Sequence, residues 1–239
     1  MPFLLYDGVL WLLFSLSHGL ALGGALLLGQ WLWMHLPLVL LGVLLPSLGL
    51  VYLLGLFLVV RLLRLFLPPL ESGYHAVPGS TGFYVWTLHF TLNRLIWLHP
   101  LKNLILYSAT LRWLAFRALG GKVGFSTSIS ADVDFVDLPL IEIGSDSLIG
   151  SGSLLSGHFM STEKLHLGPI QIGKNVNMGG NCQVGPHVKI GDGTWIGADC
   201  SLAPLVTIGQ NCRIEPLSVL PPGTELADGE TWPQYEGLQ

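Results

Sequence analysis

Aliphatic side chains recur at every sixth residue over the C-terminal part of the chain, and this spacing restricts the fold more than any other feature. Ten consecutive positions of the series are aliphatic or methionine: Ile172, Met178, Val184, Ile190, Ile196, Leu202, Ile208, Ile214, Leu220 and Leu226. The residue that follows is usually glycine, which lets the backbone turn a corner without a Cβ clash. A period of six is typical of a parallel β-helix, in which each repeat sends one aliphatic side chain into a narrow core.

Two further spacings support a triangular coil of three repeats. Pro186, Pro204 and Pro222 are 18 residues apart, so one corner carries proline on three successive coils. Cys182 and Cys200 share this spacing and should stack about 4.8 Å apart, as adjacent strands do. We interpret these two cysteines and Cys212 as reduced core residues rather than as a disulfide framework. The sequence predicts a mainly β fold, a left-handed parallel β-helix of about five coils over residues 121–229.

The repeat is interrupted at two places. A shift of two residues near Pro139 separates the first coil from the second. Between Leu155 and Ile172 the step is 17 residues, which is one repeat plus an insertion of 11. The insertion is a loop at roughly residues 158–169. A loop expelled from a regular frame is where function is commonly found.

Three histidines lie in or next to this loop and are the candidates for chemistry. His158 stands at its entrance, His166 lies within it, and His187 belongs to the next coil. Once the insertion is subtracted, Leu155 and Val184 occupy the same face of consecutive coils. His158 and His187 lie three residues beyond them, at equivalent corners about one strand spacing apart. His187 then either lines the same cleft as His158 or is covered by the inserted loop. A solvated corner histidine without a role is the competing interpretation.

The N-terminal part of the chain has the composition of a membrane anchor. Residues 8–60 contain no Asp, Glu, Lys or Arg. A helix needs about 20 apolar residues to cross a bilayer core, so this run can hold two transmembrane helices, at residues 9–33 and 38–63. Pro46 and Gly49 would permit a kink in the second helix. The alternative is a buried helical hairpin in a soluble protein.

Charge is distributed unevenly along the rest of the chain. Residues 61–122 carry seven basic side chains and a single acid, whereas four basic and 13 acidic side chains follow. The positive-inside tendency therefore predicts a multi-pass protein of the inner (cytoplasmic) membrane, with the β-helix on the cytoplasmic side. The acidic C-terminal domain argues against nucleic acid as a partner.

The segment between the two regions alternates aromatic and leucine residues with basic ones. Residues 84–119 are expected to form amphipathic helices, interrupted at Pro100, that lie in the headgroup plane or pack on the two spans. The predicted organisation is a transmembrane hairpin at 1–67, an amphipathic interfacial linker at 68–120, the β-helix at 121–229 and a tail at 230–239.

Residues 141–222 resemble the hexapeptide-repeat acyltransferases, with Ile-Gln-Ile-Gly at 170–173 after the histidine-containing loop. The larger arrangement is similar to the membrane-linked C-terminal region of poly-lysine-synthetase-like proteins, in which a segment like residues 113–124 joins membrane helices to hexapeptide domains. The resemblance covers residues 73–232. It implies a homotrimer and acyl-CoA as co-substrate, with no metal required. Membrane lipids and a small-molecule or lipid-linked acceptor are the other implied partners.

The resemblance also implies roles for particular side chains. A histidine acts in this family as general base toward an acceptor hydroxyl or amine, and His158 best matches that position. The implied catalytic set is His158, His187 and an orienting acid, Asp146 or Glu163. The pantetheine arm of coenzyme A would lie along the corners of Gly179 and Gly197, with Lys174, Lys189 or Arg213 near its phosphates.

The function that follows is a membrane-anchored acyltransferase, which moves an acyl group from a CoA thioester to a glycan, a lipid headgroup or an aminoacyl chain near the membrane. Two other functions stay open. One is a non-catalytic trimeric scaffold held in the membrane. The other is a zinc enzyme of the γ-carbonic-anhydrase kind, which would need three histidine ligands and shares this fold.

Overall fold

The computed structural model describes residues 2–97 and 102–233 and divides into two compact units, Met1–Leu67 and Pro68–Gln239. The predicted break at Pro100 and the last six residues of the predicted tail, 234–239, lie outside the described residues. Residues 68–120, which the sequence treats as a linker, are part of the same compact unit as the repeats.

The first unit consists of three helices, α1 (Pro2–His35), α2 (Leu38–Leu44) and α3 (Ser47–Arg64). Two of its helical stretches, Tyr6–His35 and Ser47–Arg64, are long and apolar enough to cross a membrane by length and composition. The second predicted span is divided between α2 and α3 at Pro46. Proline has no backbone N–H to continue the helical hydrogen bonds, and this accounts for the break.

Small residues let α1 and α3 approach closely. A Cβ added to Gly55 of α3 would lie 3.4 Å from the Cα atom of Ala21, and Ala21 and Ala25 of α1 are buried. His18 Nδ1 and the Tyr52 hydroxyl are 2.5 Å apart across the same pair of helices. Close packing through small residues and a polar pair are both typical of helices in an apolar solvent.

The second unit begins with β1 (Gly73–Ala76), followed by α4 (Thr81–Trp97), α5 (Lys102–Tyr107) and α6 (Ala109–Leu119). Gly120 ends α6 with a φ of 89°, the left-handed conformation that favours glycine at a helix C-terminus. Rings from α4 and α6, those of Trp97 and Phe116, pack within 6 Å of the Phe135 ring of the first coil. These helices therefore contact the repeats, an arrangement that neither sequence-based alternative for them included.

Residues from Lys122 to Trp232 form a parallel β-solenoid of about six turns, where the sequence predicts about five. Strands Glu225–Leu226 and Thr231–Trp232 add most of the sixth turn. Two strands in this range, β8 (His158–Met160) and β9 (Lys164–Leu167), lie outside the solenoid. The strands of the solenoid are β2 (Lys122–Val123), β3 (Ser128–Ile129), β4 (Asp134–Phe135), β5 (Ile141–Ile143), β6 (Leu148–Ile149), β7 (Leu154–Leu155), β10 (Ile170–Ile172), β11 (Asn177–Met178), β12 (Gln183–Val184), β13 (Lys189–Ile190), β14 (Trp195–Ile196), β15 (Ser201–Leu202), β16 (Thr207–Ile208), β17 (Arg213–Ile214), β18 (Val219–Leu220), β19 (Glu225–Leu226) and β20 (Thr231–Trp232).

Three sheets make up the faces of the solenoid. The first is ordered β2-β5-β10-β13-β16-β19, the second β3-β6-β11-β14-β17-β20 and the third β4-β7-β12-β15-β18. All ten aliphatic residues of the periodic series are buried, with exposures of 6% or less. Leu155 pairs with Val184 across the insertion, which confirms the register inferred from sequence.

Two corner glycines show why the residue after an aliphatic position is usually small. A Cβ on Gly179 would lie 2.5 Å from the backbone nitrogen of Ala198 on the next coil. A Cβ on Gly197 would lie 2.5 Å from the nitrogen of Pro216 in the same way. Successive corners stack backbone against backbone, so there is no room for a side chain that points along the axis.

Candidate functional site

The predicted insertion is a β-hairpin formed by β8 and β9, here called the His158 hairpin. β1 pairs antiparallel with β9, which makes a three-stranded sheet in the order β1-β9-β8 outside the solenoid. Val77 extends this contact, because its backbone N–H donates to the carbonyl of Glu163 in the hairpin turn at 2.8 Å. A strand that lies more than 80 residues upstream thus holds the hairpin.

The two faces of this sheet have different neighbours. Leu165 and Leu167 are fully buried and pack with Trp86 of α4 in an apolar cluster. His166 lies between them in sequence and points to the opposite face, as alternation along a strand requires. There its ring stacks between Tyr74, at 4.3 Å, and His187, at 5.1 Å.

His158 starts the hairpin and binds an acid at the equivalent corner of the preceding coil. Its Nδ1 lies 2.6 Å from Oδ2 of Asp137, whose side chain is only 1% exposed. The other carboxylate oxygen, Oδ1, accepts a hydrogen bond of 2.8 Å from Nε1 of Trp86. Because an ionised carboxylate can only accept hydrogen bonds, this geometry assigns the imidazole proton to Nδ1.

The other imidazole nitrogen of His158 is available for chemistry. In the described part of the chain Nε2 has no hydrogen-bond partner, and the side chain is 18% exposed. The rings of Trp86 and Phe90 pack edge-on against the imidazole, with centroids 4.9 and 6.5 Å away. A neutral imidazole with Nδ1 protonated presents a lone pair on Nε2, which is the arrangement of a general base.

The local sequence explains why Asp137 reaches this point. It follows β4 and precedes the 3-10 turn Leu138–Leu140, which is the two-residue shift seen near Pro139. Asn93 of α4 fixes the same stretch, since its Nδ2 donates to the carbonyls of Phe135 at 2.7 Å and Val136 at 2.6 Å. The irregular corner therefore serves to carry a buried carboxylate under the hairpin.

Neither acid named from sequence lies at His158. Asp146 occupies the corner between β5 and β6, whereas His158 follows β7 and belongs to a different corner of the coil. Glu163 lies in the turn at the far end of the hairpin, where it exchanges contacts with Ser161 and Val77. The acid that contacts His158 is therefore Asp137, and not Asp146 or Glu163, the two candidates from sequence.

His187 does not share a cleft with His158. Its Nε2 lies 3.1 Å from the carbonyl oxygen of Leu167, and a Cβ on Gly168 would fall within 2.5 Å of its ring. Its neighbour His166 is on the opposite face of the hairpin from Leu165 and Leu167, so the inserted hairpin separates the ring of His187 from the ring of His158. The second of the two sequence-based alternatives, a His187 covered by the loop, therefore agrees with the geometry.

Burial, and then the nearby charge of His187, lowers the pKa of His166 below its ordinary value of 6.5.

The residues proposed for coenzyme A are spread over the solenoid of a single chain. Gly179 and Gly197 stack at the corner that precedes the third sheet, Lys174 lies at another corner, and Lys189 points outward from the first sheet. Arg213 stacks on Trp195 at 4.3 Å and donates to Glu215 at 2.6 Å, so its charge is already matched. Among the described residues, Lys174 and Lys189 have no carboxylate within ion-pair distance.

Within residues 2–97 and 102–233, no group of three or more His, Cys, Asp or Glu side chains is arranged to hold a metal ion. Of the three histidines considered for zinc, His166 and His187 stack together and His158 lies on the other face of the hairpin.

Sequence reasoning missed Asp137 and Trp86, for different reasons. Asp137 could have been found from the register, because Phe135 pairs with Leu155 and both His158 and Asp137 lie just beyond that pair. The predicted register relates His158 to His187 on the following coil and does not include the preceding coil, which carries Asp137. Nothing in the sequence pattern points to Trp86, which lies outside the repeats and meets the site only through the packing of α4.

The family models that match this sequence do so within the repeats. Residues 187–222 match the family model described as bacterial transferase hexapeptide (six repeats), and residues 169–186 match the hexapeptide repeat of succinyl-transferase. No curated protein matches the sequence.

Three of the solved structures that match this chain are acetyltransferases by their descriptions. The maltose O-acetyltransferase from Clostridium difficile 630 is 24% identical over 53% of this chain and 77% of its own, with a TM-score of 0.39. A hexapeptide-repeat acetyltransferase from Vibrio cholerae is 17% identical over 60% and 90%, with a TM-score of 0.44. The acetyltransferase domain of PglB from Neisseria gonorrhoeae is 18% identical over 54% and 63%, with a TM-score of 0.22. The two family models and the three parallel sheets together show hexapeptide repeats folded as a parallel β-solenoid over residues 169–222.

Proposed function

We propose that this protein is a membrane-anchored acyltransferase in which His158 is the general base. The observation that carries the proposal is the Asp137–His158 pair, a buried carboxylate that holds Nδ1 at 2.6 Å and leaves Nε2 unengaged at an expelled hairpin. The matching repeats are those of bacterial transferases, which is consistent with this chemistry.

An acceptor hydroxyl or amine attacks the carbonyl carbon of the acyl thioester while Nε2 of His158 takes its proton. The tetrahedral intermediate then breaks its C–S bond, and the departing thiolate receives the proton from the imidazolium. The products are the acylated acceptor and free coenzyme A. Asp137 stabilises the imidazolium that forms between the two steps, because the full carboxylate charge faces Nδ1.

Several features of the reaction remain part of the proposal. The acyl donor is an acyl-CoA, held along the Gly179 and Gly197 corners with Lys174 or Lys189 near its phosphates. The solenoid assembles as a homotrimer, which would bring residues of different faces of the coil together from neighbouring copies. The two apolar helices anchor the protein in the cytoplasmic membrane, so that the acceptor is a glycan, lipid headgroup or aminoacyl chain close to the bilayer.

The test is release of the coenzyme A thiol from acetyl-CoA and a panel of other acyl-CoA donors by the full-length protein in detergent, with a panel of hydroxyl and amine acceptors. We expect His158→Ala to abolish acceptor-dependent release, because it removes the only proposed base. His187→Asn is the matched control, since asparagine tolerates the left-handed φ of 61° at that corner and leaves Asp137 untouched.

Three outcomes separate the possible functions. Loss of release in His158→Ala but not in His187→Asn supports the proposal. Equal release by His158→Ala and the wild type removes His158 from the mechanism. Absence of release from every acyl-CoA tested, together with membrane localisation and trimers in both proteins, favours the non-catalytic scaffold instead.

A further inference from the structure

Helix α4 lies outside the hexapeptide repeats, yet two of its polar side chains reach the segment that carries Asp137. Trp86 donates its indole N–H to the carboxylate of Asp137, and Asn93 donates to the backbone carbonyls of the two preceding residues. The two side chains are seven residues apart, so they project from the same face of the helix. Both are buried, at 7% and 1% exposure. The helix thus fixes both the backbone and the carboxylate of this acid.

We propose that Trp86 is a positioning residue for His158: its indole N–H holds Asp137 in the rotamer that meets Nδ1, and thereby directs Nε2 toward the substrate. The catalytic consequence rests on the proposed function. The structural part, that the tautomer and orientation of His158 depend on Trp86, stands apart from it.

The physical reason lies in the freedom of a carboxylate. The terminal torsion of an aspartate is broad, so a single hydrogen bond to Oδ2 does not by itself fix the plane of the group. The indole N–H can only donate, and it occupies Oδ1 at 2.8 Å while His158 occupies Oδ2 at 2.6 Å. With both oxygens held by rigid rings, the carboxylate has one orientation.

The ring of Trp86 has a second contact with the site. It meets the imidazole of His158 edge-on at 4.9 Å, and it packs with Leu165 and Leu167 of β9. A test must therefore separate the loss of the N–H from the loss of ring volume. Trp86→Phe removes the donor and keeps an aromatic ring in the cluster.

Trp97→Phe is the matched control for this change. Trp97 belongs to the same helix, is 4% exposed, and donates its indole N–H to Oδ1 of Asn93 at 3.0 Å. The two substitutions thus remove the same group from equally buried positions in α4. Only the substitution at Trp86 takes a donor away from Asp137.

The first measurement does not depend on activity. Full-length protein with ¹⁵N-labelled histidine is studied by NMR in detergent micelles, and the His158 signals are assigned by their loss in His158→Gln. We expect the wild type and Trp97→Phe to show the tautomer protonated at Nδ1. We expect Trp86→Phe to show a mixture of tautomers. A His158 spectrum unchanged in folded Trp86→Phe overturns the proposal.

The second measurement is a double-mutant cycle on coenzyme A release from acetyl-CoA. We expect Trp86→Phe to lower kcat by roughly tenfold, the rate equivalent of one hydrogen bond to a charged group, with little change in KM. In an Asp137→Ala background the same substitution should have little further effect, because the carboxylate that accepts the indole N–H is gone. An equal fall in both backgrounds means that Trp86 acts only through packing, which contradicts the proposal. If His158→Ala keeps its activity, the proposed function fails while the NMR result still decides the role of Trp86.

Discussion

Asparagine in place of Asp137 tests the site most directly, because it changes charge and donor pattern at nearly constant volume. The carboxylate accepts one N–H from Trp86 at 2.8 Å and one from His158 at 2.6 Å. An amide has one accepting oxygen and one donating NH₂ group. When the oxygen stays with Trp86, the NH₂ group faces Nδ1, and the imidazole must carry its proton on Nε2 instead.

Both rate and stability should respond, by amounts that follow from these contacts. With the proton on Nε2, the imidazole has no lone pair there to take the proton of the attacking hydroxyl or amine. Comparable substitutions in Ser-His-Asp triads lower kcat by about 10⁴. A hydrogen bond to a charged group is worth about 1.5–3 kcal/mol, partly offset because an amide is less costly to bury than a carboxylate. We therefore expect the free energy of unfolding of the second unit to fall by about 1–2 kcal/mol.

The assay compares coenzyme A release and thermal unfolding for the wild type, Asp137→Asn, Asp146→Asn and Glu163→Gln. The last two remove the acids that the sequence offered, which lie at another corner and in the hairpin turn. We expect only Asp137→Asn to lose activity. If its rate stays within twofold of the wild type, the pair does not set the base and the reasoning is refuted. If Glu163→Gln or Asp146→Asn loses activity instead, the orienting acid is misassigned.

Three further outcomes are expected. The lowered pKa of His166 means that its protonation opposes folding, so the contribution of this group to stability is complete above pH 6.5 and is lost as the pH falls below it. His166→Phe keeps a ring between Tyr74 and His187 and should flatten the pH dependence of thermal unfolding on the acid side. An unchanged pH profile would contradict this. Gly197→Ala should lower the free energy of unfolding by about 1–3 kcal/mol through overpacking, because its Cβ would lie 2.5 Å from the backbone nitrogen of Pro216. Gly42→Ala is the control, since a Cβ there has no other atom within 4 Å. A Gly197→Ala protein of normal thermal stability with a raised KM for acetyl-CoA would show instead that the corner has room for a side chain and binds substrate. Ile196→Ala, at 0% exposure, should cost about 2–5 kcal/mol in chemical denaturation, while Ser201→Ala on the outer surface of the same coil should be close to neutral.

The sequence was sufficient for the solenoid because most repeats obey the same local rule. One aliphatic residue enters the core and a small residue turns the corner, so the register can be counted from residue to residue without knowledge of distant contacts. For this reason the pairing of Leu155 with Val184 across an insertion was correctly inferred. The place of the inserted hairpin and the two apolar helices follow from equally local patterns.

Contacts made by groups outside the repeat were decided only by the tertiary structure. The partner of His158 is Asp137, which precedes it by 21 residues, and the partner of Asp137 is Trp86, which precedes it by 51. Periodicity is silent on Trp86, which belongs to a helix that has no place in the register. It brings Asp137 near His158 through the pairing of Phe135 with Leu155, but it does not determine which carboxylate reaches Nδ1. The strand β1 that holds the hairpin was hidden for the same reason: antiparallel pairing with β9 depends on how the chain returns, and four residues of local sequence do not encode it.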